Sequence, residues 1–141
     1  MQASLGFAKK AGGTKLSECQ NMNMQTILFD EEKTMVTDIV RNAIVRKLES
    51  AADQGDPEAQ LELGLMYLYG RGVRVNYSKA RVWLLKAAEQ DDPDAQHELG
   101  LMYYYGRGVA VDRAEAYKWF KLAAEQPGNY AAQMYLQKLS N

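Results

Sequence analysis

The sequence predicts an all-α fold, a solenoid of αα-hairpins, and three observations predict it. The first is duplication: the stretch Gly55 to Gln90 is written again as Asp91 to Gln126, 36 positions on, with more than half of its positions identical. Leu63-Gly64-Leu65-Met66-Tyr67 returns as Leu99-Gly100-Leu101-Met102-Tyr103, and Gly70-Arg71-Gly72-Val73 as Gly106-Arg107-Gly108-Val109. A fixed period in this range is the signature of stacked supersecondary units. The second observation is that each copy carries two apolar runs at helical spacing. The third is the turn chemistry between them, a Gly-Arg-Gly loop after the first run and a capping Asn76 or Asp112 before the second.

In chain order, residues 1–29 read as an arm, without sustained periodicity to about Gln20 and therefore partly disordered. Its apolar segment 22–29, with Met22, Met24, Ile27, Leu28 and Phe29, either covers the open end of the array or is an interaction segment. Residues 30–54 predict a capping helix with an apolar stripe of Met35, Ile39, Val40, Ala43, Ile44, Val45 and Leu48. Its end, Ala51-Ala52-Asp53-Gln54, aligns with Ala87-Ala88-Glu89-Gln90, so it reads as the second helix of a degenerate repeat, with Lys47 where the copies have Trp.

The first full repeat is 55–90. Asp56 supplies an N-cap, Pro57 fits the first helical position, and Ala59, Leu63, Met66 and Tyr67 mark one face of a helix over about 57–68. A second helix follows Asn76 and runs to about Gln90, with Ala80, Trp83, Leu84, Ala87 and Ala88 on one face. Small residues at Gly64, Ala80 and Ala87 predict a close approach of the two helices around Trp83. Residues 91–126 repeat the plan around Trp119. In 127–141, Pro127-Gly128 breaks the last helix, and Ala132-Gln133 with Tyr135-Leu136 echoes the opening of a third repeat, a half-repeat serving as C-terminal cap.

This pattern resembles the Sel1-like repeat family, relatives of the tetratricopeptide repeat. The resemblance rests on Ala59-Gln60, Leu63-Gly64, Tyr67, Gly70-Arg71-Gly72-Val73, Ala80, Trp83 and Lys86-Ala87-Ala88-Glu89, with their counterparts one period later; Leu122 departs from it, where Lys is usual. It implies a right-handed superhelix, with first helices lining a concave side used for protein binding.

Composition narrows the function. Lys and Arg number 17 against 18 Asp and Glu, so there is no basic field for nucleic acid. No apolar run reaches the ~20 residues of a membrane span, and Lys9 and Lys10 follow Leu5-Gly6-Phe7-Ala8 where a secretory signal would need the reverse order. The lone Cys19 fits a reducing compartment, and the expected location is the cytoplasm. His97 is the single histidine, too few ligands for a zinc site of the usual kind. The Gly70-Arg71-Gly72 loop follows a helix and lacks the Lys and Ser or Thr of a phosphate loop. Neither enzyme nor cofactor is expected.

A second stripe on the first helices is the candidate site. Leu61, Leu65 and Leu68 recur as His97, Leu101 and Tyr104, nearly opposite the core face, and Met134 and Lys138 extend them, as do Tyr69 and Tyr105. The stripe is either packed against neighbouring repeats or a groove for a peptide or protein partner. The leading expectation is a non-enzymatic adaptor or scaffold. An inhibitor or immunity-type protein that covers an enzyme, and a self-associating structural module forming a homodimer, stay open beside it.

Overall fold

The computed structural model of the chain describes residues 35–141, whose regular structure is entirely helical. The arm expected over 1–29 and the first residues of the capping helix lie outside the described residues. The chain divides into two compact units, Met1–Asn42 and Ala43–Asn141. In the first, residues 35–42 are helical and Arg41 pairs with Asp38 one turn away. Residues 43–53, also helical, open the second unit as α1.

The second unit then runs through α2 (Pro57–Tyr69), α3 (Tyr77–Ala88), α4 (Pro93–Tyr105), α5 (Arg113–Ala124) and α6 (Tyr130–Ser140). From α2 onward each helix packs on its neighbours in the chain, most extensively α2 with α3 and α4 with α5, an all-α solenoid of helical hairpins. Every one of these helices begins on a side-chain cap. Asp56 Oδ1 accepts from Glu58 N (3.1 Å), Asn76 Oδ1 from Lys79 N (3.0 Å) and Asp92 Oδ1 from Ala95 N (2.9 Å). Asp112 Oδ1 accepts from Glu115 N (3.0 Å), and Asn129 Oδ1 from Ala132 N (3.2 Å). Such caps satisfy amide groups that the first helical turn leaves unpaired.

Both first helices end on a glycine in the left-handed region, Gly70 at φ 69° and Gly106 at φ 70°. A Cβ there would also run into Val75 or Val111, at 2.9 and 2.8 Å, so conformation and space both require glycine. The loop that follows is tied back to its own helix: Asn76 N donates to Tyr67 O (2.8 Å) and Asp112 N to Tyr103 O (3.0 Å).

Within each hairpin the close approach differs from the sequence expectation. Leu84 lies over Gly64 and Phe120 over Gly100, so that an added Cβ would sit 2.6 and 2.7 Å from those side chains. Both large residues are fully buried, whereas Trp83 and Trp119 are half-buried. The tryptophans pack on the edge of the first core cluster, and Lys86 Nζ stands 4.5 Å from the Trp83 ring centroid. The reason is angular: neighbours along a helix point ~100° apart, and the glycine notch accepts the residue after the tryptophan. Met66, expected in the core, is half-buried, while its counterpart Met102 is fully enclosed.

Between hairpins a buried glutamine repeats. Gln60 Nε2 donates to Ala52 O (3.0 Å) and Gln96 Nε2 to Ala88 O (3.2 Å), each joining a first helix to the end of the helix before it. Two apolar clusters result. One extends from Ala52 to Met102, and the other gathers Ala116, Phe120, Ala123 and Ala132 under α6.

Candidate functional site

The expected stripe separates into three environments. Leu68 is 3% exposed and belongs to the core, so it offers no surface to a partner. The physical reason is that α2 meets both α3 and α4, so more than one of its sides is covered. Leu61 is half-buried against the same cluster, and Leu65 is half-buried. Leu101 and Tyr104 are half-buried against the second cluster. Met134 and Lys138 are exposed on α6.

His97 also differs from a surface histidine. Its ring sits 5.5 Å from Phe120 and 5.9 Å from Tyr135, and its Nδ1 is buried without a hydrogen-bond partner. Burial lowers its pKa from 6.5, opposed by the charges of Glu98 and Asp94. It works as a packing group held neutral.

Beside these residues runs a row of tyrosines that the helical pattern alone does not assemble. At the end of α2, Tyr69 carries the Arg71 guanidinium over its ring at 5.4 Å; at the end of α4, Tyr105 carries Arg107 at 5.3 Å. On α6, Tyr135 carries Lys138 Nζ at 5.0 Å. Tyr104 meets Tyr105 and Tyr135 edge-on at 4.9 and 5.2 Å, and Tyr135 stacks on Phe120 at 4.8 Å. Tyr69 and Tyr105 are exposed.

Each junction of the row is closed by a hydroxyl. Tyr69 donates to Glu98 Oε2 (2.7 Å), while the Tyr105 and Tyr135 hydroxyls lie 3.0 Å apart. Burial raises the Tyr69 pKa, with Glu98 adding to it and Arg107 opposing. The hydrogen bond with Tyr105, followed by burial, pushes Tyr135 up to about 12. The signal for this row was in the sequence as Tyr-Gly-Arg-Gly at 69–72 and 105–108, where the arginine reads as part of a turn. Nothing in the helical period marks Tyr135 as its continuation.

Two recesses are lined by other residues. One of about 330 Å³ is lined by Glu49, Tyr67, Ser78, Lys79, Val82 and Trp83. Another of about 430 Å³ lies between α1 and α2, lined by apolar Ile44, Leu48 and Ala59 and by acidic Asp56, Glu58 and Glu62. Among the described residues no three His, Cys, Asp or Glu side chains converge as metal ligands would. No helix there is long and apolar enough to cross a membrane.

Residues 57–92 and 93–127 each match the Sel1 repeat. No curated protein matches the chain. Among solved structures, the chain is similar to a Sel1 repeat protein from Oxalobacter formigenes, with 42% identity and a TM-score of 0.62, over 65% of this chain and 26% of that one. It is also similar to a protective antigen present in uropathogenic Escherichia coli strains that displays an SLR fold, with 49% identity and a TM-score of 0.59, over 61% of this chain and 18% of that one. The similarity thus spans about a quarter or less of each of those proteins.

Proposed function

The chain belongs to the Sel1 repeat family, and from that premise we propose that it is a non-enzymatic interaction module that takes a peptide or protein partner across the face of α2, α4 and α6. Sel1 repeats commonly serve protein–protein interaction. The observation that carries the reading is the row Tyr69, Tyr105 and Tyr135, each with a cation on its ring. Tyrosine and arginine are enriched in protein interfaces because they bring large contact area together with a polar tip. Leu65, Leu101 and Tyr104 supply an apolar flank, with Met134 and Lys138 at one end. The reading extends to a reducing, cytoplasmic compartment, supported by the single cysteine.

The test is affinity capture from cells that make the protein, followed by direct binding with the recovered partner. The wild-type chain is expected to bind, and Tyr69→Ala with Tyr105→Ala to lose binding while circular dichroism keeps its helical signal. Undiminished binding by that variant would move the interface off this face. Sedimentation of the pure chain as a tight dimer that protects Tyr105 would favour the self-associating module instead.

A further inference from the structure

The two junctions of the tyrosine row are built alike but charged differently. At the first, the α2 tyrosine meets a carboxylate, Glu98. At the second, the α4 tyrosine meets Tyr135, one helix further along and in the matching place, so a neutral hydroxyl stands where the first junction has an acid. Arg107 and Lys138 flank this second junction through Tyr105 and Tyr135, and Arg107 also reaches back to the Tyr69 hydroxyl. The ion pairs among the described residues are Arg41 with Asp38 and Lys118 with Glu115, and neither includes Arg71, Arg107 or Lys138.

The geometry leaves donors available. A guanidinium over a ring keeps its five N–H donors, and although Arg107 also meets the Tyr69 hydroxyl, one oxygen cannot occupy them all. When two hydroxyls share one hydrogen bond, one hydrogen is used and the accepting hydroxyl keeps its own. The second junction therefore offers the guanidinium that Arg107 shares with the Tyr69 hydroxyl, an ammonium and a free O–H, while the carboxylate of Glu98 is held one junction away by Tyr69. That set is complementary to a carboxylate, and charge-assisted bonds to it are the strong ones.

Resting on the interaction-module reading, we infer that the Tyr105–Tyr135 junction binds the side-chain carboxylates of an extended acidic segment in the partner protein. An extended segment fits because the cations recur along the row, Arg71, Arg107 and Lys138, one per first helix. A single terminal carboxylate would use only one of them. Glu98 sets the boundary: it repels acid at the first junction, so the strongest anion contact belongs to the second.

The test uses the full chain and a short peptide of alternating Glu and Phe with both ends blocked, its Gln-for-Glu counterpart, and the Gln peptide with a free carboxyl end. The blocked acidic peptide is expected to bind saturably, to shift the side-chain NMR signals of Arg107 and Lys138, and to weaken with added salt. Arg107→Gln with Lys138→Gln should weaken it about tenfold or more, with an unchanged melting temperature. Arg71→Gln, beside the junction that keeps Glu98, should weaken it less than about threefold. Equal losses from both variants, or equal binding of the blocked Gln peptide, would overturn the inference, as would tighter binding of the free-ended Gln peptide, which would mean that a chain terminus is read. Failure of the acidic peptide alongside successful capture of a partner on this face would sink the carboxylate site alone. Failure of the capture variant to lose its partner would sink the module reading instead.

Discussion

A glycine in mid-helix is ordinarily a weakness, and replacing it by alanine gains about 1 kcal/mol from helix propensity. At Gly100 the opposite sign is expected, because the new methyl would meet the enclosed Phe120 ring. Gly100→Ala should lower stability by about 1–3 kcal/mol, read from denaturant midpoints, and a stabilised variant would show that the notch is not needed. His97 gives the second residue-scale prediction. Its folded pKa lies below its unfolded value of 6.5, so its contribution is present above pH 6.5 and lost as the pH falls toward the folded value. Phe120 and Tyr135 face the ring from α5 and α6, Asp94 and Glu98 stand on its own helix, and burial outweighs the two acids. His97→Leu, which restores the residue of the first copy at Leu61, should flatten the decline in melting temperature between neutral pH and pH 5. A decline of unchanged steepness would assign it to the carboxylates.

At the scale of elements, the turn that opens each repeat offers a comparison inside one chain. Gly55 takes a positive φ of 96°, while its counterpart Asp91 takes φ 65° with a side chain that disfavours it. Asp91→Gly should therefore stabilise the protein by about 0.5–1 kcal/mol in thermal unfolding. No gain would mean that the Asp91 side chain already compensates. The helices themselves were legible in the sequence, since Asp56, Pro57, Asn76 and Asp112 act locally and the structure uses each as the sequence suggested. What faces what was less legible. Trp83 outweighs Leu84 in size, and only the position of Gly64 on the opposite helix selects the leucine. The Tyr105–Tyr135 contact joins residues 30 apart, and helical periodicity carries no information about the neighbour across a junction. Leu68 and His97 share a stripe with exposed residues for the same reason: the stripe gives a direction, and the next hairpin decides whether that direction holds water.

On the scale of the whole second unit, cohesion depends on junctions as much as on hairpins. Gln96 is 3% exposed, and its bond to Ala88 O satisfies a carbonyl at a helix end. Gln96→Leu keeps the volume and removes that bond, leaving the carbonyl with Asp91 N alone (3.1 Å), which should cost about 0.5–1.5 kcal/mol. Hydrogen exchange is expected to quicken on both sides of the α3–α4 junction, because neighbouring repeats stabilise each other. Protection lost on one side alone would argue that the hairpins fold independently.

The acceptor in each of these clips, Ala52 O or Ala88 O, is main chain, and main chain survives every substitution. Sequence drift in the donor's neighbour therefore cannot erase the joint, provided the glutamine stays. A hairpin from a different array, spliced in after Ala88 and bringing its own buried glutamine, would find the docking point already built, so chimeras cut at this seam can exchange their tyrosine rows without redesigning the backbone beneath them.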